Sequence, residues 1–121
     1  MKSDRAPVRA VPIGSAPWTF LTNHAHVLFS IAADPEVRLR DLADRVGITE
    51  RAVARITAEL ADAGYLRAER VGRRNRYTID PSLPLRHPIE RHRRVRDLIE
   101  LVNGGAPARA LRRAAANGGA R

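Results

Sequence analysis

The sequence predicts a mainly α fold with one small β-hairpin and a further helix at the C-terminal end. Three observations carry this. Two short amphipathic segments flank Gly47, two alternating segments flank Gly72-Arg73-Arg74-Asn75, and a stretch punctuated by Pro81, Pro84 and Pro88 leads into a last apolar stripe. At 121 residues the chain has room for one domain of ordinary size.

Taken in order, Leu21, Ala25, Leu28, Phe29 and Ala32 fall at i, i+4, i+7, i+8 and i+11, which predicts a first helix. Thr22 or Asn23 is suited to cap its start. Asp34-Pro35 ends it, because a residue before proline is pushed out of helical angles. Trp18 and Phe20 are expected to cover the end of this helix, and residues 37–39 to form a very short strand. Leu39, Leu42, Ala43 and Val46 then share one side of a second helix, stopped by Gly47, the residue best able to take left-handed angles. Ile48 plugs the corner and Thr49 caps a third helix over residues 49–63. That helix buries Val53, Ile56 and Leu60, projects Arg51 and Arg55 from the opposite face, and ends at Gly64.

Beyond it, residues 65–71 and 76–79 alternate like half-buried strands around a turn at 72–75. Pro88 fits the first position of a last helix over residues 88–102, where its missing N–H costs nothing. His92, Val95, Ile99 and Val102 share one side of that helix, and Asn103-Gly104-Gly105 ends it. Residues 1–17 and 103–121 are rich in Ala, Gly, Pro and Arg. Such segments bury too little apolar surface to offset the entropy of ordering, so both are expected to be mobile. The expected organisation is an N-terminal arm (1–17), a DNA-binding domain (18–80), a strap and C-terminal helix serving dimerisation (81–102), and a basic tail (103–121).

The net charge is +9 and is unevenly placed: −2 over residues 34–64, +4 over 65–77, +4 over 86–96 and +4 over the tail. Clustered positive charge is the footprint of a polyanion partner, since each neutralised phosphate releases condensed counterions. The plainer alternative is a solubility device or an arginine-rich composition. With no cysteine, disulfides, zinc–thiolate sites and cysteine redox sensing are excluded. No window approaches a membrane span and no apolar run follows the N-terminal lysine, so no secretory signal and a cytoplasmic, nucleoid-associated residence are expected. No glycine loop of the phosphate-cradling kind and no evident carboxylate pair suggest an enzyme. Few aromatics argue against a sizeable ligand cavity.

Two short helices meeting at a glycine corner form a helix-turn-helix, whose second helix enters a DNA major groove. Arg51 and Arg55 lie one turn apart on that helix. Like charges at this spacing cost an isolated helix ~0.2–0.5 kcal/mol, which disfavours a purely structural role. An arginine there can pair with guanine O6 and N7. Ala52 and Ala54 keep the surface small, Glu50 opens the helix, and Thr49 can cap it and also donate to a phosphate. Arg38 and Arg40 precede the first helix of the motif within reach of a DNA backbone. Arg73, Arg74 and Arg76 concentrate three guanidiniums that a narrow minor groove would attract, with Asn75 there for turn geometry. The plain alternative on the helix is an Arg55–Glu59 pair on a solvated face.

The order of parts resembles that of the winged helix-turn-helix transcription regulators, in the small bacterial branch that includes MarR-type and ArsR-type repressors. The resemblance is carried by Leu39-Arg-Asp-Leu-Ala-Asp-Arg-Val-Gly-Ile-Thr-Glu-Arg-Ala-Val-Ala-Arg-Ile, by Leu60-Ala-Asp-Ala-Gly-Tyr-Leu and by Gly72-Arg-Arg-Asn-Arg-Tyr. It implies a mainly α fold with a β-hairpin wing and a double-stranded DNA partner.

The narrow stripe of the last helix suits packing against a symmetry mate, which predicts a homodimer through His92, Val95, Ile99 and Val102. His24, His26, His87 and His92 raise the possibility of metal or pH sensing. His24 and His26 point different ways on a helix, and His87 and His92 need a third ligand, so capping or packing roles and no cofactor are expected. A small-molecule or metal effector stays open. Rival functions are a protein-docking winged helix, for which residues 50–55 offer no outward apolar anchor, and structured-RNA binding, for which no aromatic platform is evident.

Overall fold

A computed structural model describes residues 17–104; the two terminal segments expected to be mobile fall almost wholly outside the described residues. Its elements run α1 (Asn23–Ala33), α2 (Leu39–Val46), α3 (Glu50–Asp62), β1 (Leu66–Val71), β2 (Arg74–Ile79) and α4 (Val95–Val102). The mainly α fold with a hairpin and a terminal helix is the one the sequence predicts.

α1 is the centre of the packing. It buries the expected Leu28, Phe29 and Ala32 and also Val27 and Ile31, because α2, α3, α4 and β2 enclose it on several sides. Asp34 ends it, its N–H donating to Ser30 O and Ile31 O. α2 buries Leu42 and Ala43 and half-buries Leu39 and Val46. Asp41 in its first turn and Arg45 in its last both suit the helix dipole. Gly47 then takes φ 84°, its N–H closing on Ala43 O at 2.8 Å. Thr49 Oγ1 accepts the Ala52 N–H at 3.0 Å and fixes the start of α3. α3 buries Val53, Ile56 and Leu60 as expected.

The hairpin is antiparallel, in register Leu66↔Ile79 to Val71↔Arg74. Its turn is tighter than predicted: β2 begins at Arg74, leaving Gly72 (φ 65°) and Arg73 as a two-residue loop. The expected strand at 37–39 does not form. Val37 is buried, but the chain turns into α2 at Leu39. β2 finds only one main-chain partner in that loop, the Tyr77 N–H donating to Pro35 O at 2.8 Å.

The last helix differs most. It starts at Val95, not Pro88, because the strap folds back on itself first. Leu85 N–H donates to Arg93 O and Val95 N–H to Leu83 O, each at 2.9 Å, and Pro84 bridges Arg94. These bonds place residues 87–93 in turns, where Pro88 meets the same tolerance for a missing N–H that a helix start provides. Asp97 supplies the real cap, accepting the Arg94 N–H at 2.9 Å. The Tyr65 hydroxyl pins the strap by donating to Pro84 O at 2.5 Å, and burial pushes its pKa up. Trp18 and Phe20 do not cover α1. They are 67% and 92% exposed and pack edge to face on each other, centroids 5.1 Å apart.

Candidate nucleic-acid interface

On α3, the row opposite the buried Val53, Ile56 and Leu60 is Arg51, Ala54, Arg55 and Ala58, all exposed. Two arginines one turn apart thus stand on a surface cleared by alanines. Ala52, two positions from Ala54, lies on the other flank and is half-buried, so the two alanines do not share the surface the sequence assigned them. Glu50 is exposed in the first turn, where a carboxylate suits the helix N-terminus.

Arg51 makes no ion pair among the described residues. Arg55 reaches Glu59, its Nη1 donating at 3.4 and 3.5 Å to the two carboxylate oxygens. Glu59 also takes a much shorter bond from α1, 2.6 Å from His24 Nε2 to Oε1. This hydrogen bond chiefly holds the Glu59 carboxyl below its usual pKa, against the opposing effect of desolvation, with the Arg55 charge adding to it.

The hairpin treats its arginines differently. Arg73 sits exposed in the turn. Arg76 pairs with Glu36, Nη2 at 3.2 Å and Nε at 3.3 Å from Oε2, and Arg74 Nη1 donates to Glu36 O at 3.5 Å. The loop between α1 and α2 thereby ties down the hairpin through Arg74 and Arg76, two of its five guanidiniums, while Arg67 and Arg70 of β1 are exposed like Arg73. Asn75 lies in β2 opposite Arg70, half-buried, not in the turn whose geometry it was expected to serve. Arg38 precedes α2 and lies 3.9 Å from Asp41, while Arg40 is exposed.

The expected dimer stripe needs correction. Val95 and Ile99 are 3% and 1% exposed, locked into the chain's own core, and His92 is exposed in the turns before α4. Only Val102 of that set presents an apolar face, next to the more exposed Leu101. Three of the histidines have separate partners: His24 bonds Glu59 across to α3, His26 Nδ1 meets Asn23 Oδ1 at 3.0 Å, and His87 Nδ1 accepts the Ile89 N–H at 3.1 Å. Among the described residues no three His, Asp or Glu cluster as metal ligands would.

A cavity of about 750 Å³, wide open to solvent, runs between α1, the end of α3, the strap and α4. Leu28, Leu60 and Ile99 help form its apolar wall, and His24, Glu59, Asp62, Arg86 and Glu90 its polar edge. Its size is that of a small-molecule site, larger than the scarcity of aromatics suggested. Glu36 and this cavity escaped the sequence reading, since both arise from contacts between segments distant in the chain.

A family model described as MarR family matches residues 19–76, from the segment before α1 through the hairpin turn into β2. This segment, a little under half of the chain, is similar to the MarR family. Among solved structures, the PcaV transcriptional regulator from Streptomyces coelicolor in complex with its natural ligand is similar, at 24% identity and a TM-score of 0.46. That match covers 69% of this chain and 57% of PcaV, so the chain spans a little over half the length of that regulator. No curated protein matches the chain significantly. Among the described residues no helix is long and apolar enough to cross a membrane.

Proposed function

We propose that the chain reads double-stranded DNA in a sequence-specific way. In this reading α3 enters the major groove, and the wing meets the minor groove or the backbone. The observation that carries it is the exposed row Arg51–Ala54–Arg55–Ala58 on the second helix of the motif, set against a fully buried opposite row. Thr49, Glu50 and the half-buried Ala52 border that row. Arg73 is the cation at the wing tip free to meet DNA, Arg74, Asn75 and Arg76 support it, and Arg38 and Arg40 face the backbone.

A homodimer fits the usual use of the motif, two half-sites about one helical turn apart. Exposed Leu101 and Val102 on α4 and Ile89 on the strap are the apolar surface that supports it, in place of Val95 and Ile99. The open cavity supports an organic effector over a metal. Selection from a random duplex library tests this function: enrichment of a half-site whose preference changes in Arg51→Ala supports it. Enrichment of no sequence, with equal retention of all duplexes, would overturn base readout.

A further inference from the structure

One contact in the structure joins α3's exposed row to a different element. Glu59 lies on the flank of α3 next to that row, and it is shared between His24 of α1 and Arg55 of α3. The two bonds are unequal. His24 Nε2 comes within 2.6 Å of Oε1, while Arg55 stays 3.4–3.5 Å away. Arg55 is also N-terminal to its acid, the less favourable order for an i,i+4 pair, and both partners are at least half exposed. Arg55 is therefore held loosely, and the short bond from His24 draws the carboxylate towards α1.

We propose that Glu59 is a positioning residue that restrains Arg55, and that His24 sets the strength of this restraint by competing for the same carboxylate. This rests on the DNA-reading role of α3. Removing the carboxylate frees Arg55 for a phosphate or a base. Removing the imidazole gives Glu59 wholly to Arg55 and withdraws that guanidinium from the duplex. The other charged groups beside this cluster are Asp62 on α3 and Arg86 and Glu90 on the strap, which line the same cavity. The N-terminal turn of α1 thereby gains a say in what α3 offers to DNA.

The test is a set of cycles on the full chain, read by binding to a random duplex pool at fixed salt. Glu59→Gln should tighten binding about twofold to fivefold, the range set by an exposed ion pair, and His24→Ala should weaken it by a similar factor. His24→Ala should do nothing in the Glu59→Gln background, and Glu59→Gln nothing in the Arg55→Ala background. If Glu59→Gln gives its full gain without Arg55, the effect is bulk repulsion of phosphate and the positioning role fails. Additive His24 and Glu59 effects would equally refute the competition. A second readout needs no DNA: in the free protein, exchange of the Arg55 Nη–H hydrogens with water should speed up in Glu59→Gln and slow down in His24→Ala. Unchanged exchange in both variants overturns the proposal. A wild-type chain that binds no duplex overturns the DNA-reading role alone and leaves this second readout to decide the restraint.

Discussion

α3 and the wing both concentrate arginines, but they hold them by different means. On α3, Arg51 stands without an acid and Arg55 leans on a carboxylate that prefers another partner. In the wing, Arg74 and Arg76 are both spent on residue 36, which lies 38 and 40 residues earlier in the chain, while the turn residue Arg73 projects without such a contact, as do Arg67 and Arg70 of β1. A charge count treats these guanidiniums as equal. Their contacts divide them into those that hold the molecule together and those left to face a polyanion.

Substitutions across α3 and the wing should separate these roles, the largest effect coming from the buried side of the helix. Ile56→Ala empties a site 2% exposed and should cost ~2–5 kcal/mol of stability in chemical denaturation, with loss of all duplex binding. Arg51→Ala should leave stability nearly unchanged and remove ~1–3 kcal/mol of base discrimination in competition between duplexes. Thr49→Ala loses the bond to the Ala52 N–H and should cost about 1 kcal/mol of stability. Glu36→Gln should change stability by about 0.2–1 kcal/mol, yet release Arg76 from the carboxylate and steepen the salt dependence of binding, while Arg74 keeps its bond to the main-chain O of residue 36. An unchanged salt dependence in that variant would erase the distinction between tied and free wing arginines.

Titration sharpens the same contrast between framework and surface. Tyr65 belongs to the framework, and burial raises its pKa, so the folded state favours the neutral phenol. Its contribution is complete below the usual value of about 10 and is lost as pH rises through the folded value. Tyr65→Phe should therefore cost about 0.5–1.5 kcal/mol at neutral pH through the lost bond to Pro84 O, and abolish that alkaline loss. Glu59 shifts the other way. Its lowered pKa means that its contribution is present at neutral pH and is lost as pH falls through its folded value.

Much of the fold was legible because its signals are local. Gly47 and Gly64 stop helices at the predicted places, and the apolar spacing of Leu39 to Val46 and Val53 to Leu60 gave the buried faces of α2 and α3. Pro88 misled because a turn and a helix start tolerate it equally, and the bonds that chose the turn join residues 83–85 to 93–95. The stripe on α4 was seen, but a narrow stripe looks alike whether it meets a partner or its own domain, and Val95 and Ile99 meet their own. At the candidate interface, the arginines and the Arg55–Glu59 pair were visible by spacing, while Glu36, which holds Arg76, and His24, which bonds Glu59, come from other segments and leave no mark in a single sequence.

The most direct measurement is duplex affinity followed across salt concentration for the wild type and for the combined Arg51→Ala, Arg55→Ala and Arg73→Ala chain. If these three guanidiniums face DNA, the wild type should weaken steeply with salt, and the triple variant should lose about one unit of the logarithmic slope for each of them that neutralises a phosphate. An identical slope in both proteins, or a wild-type affinity indifferent to salt, would contradict it.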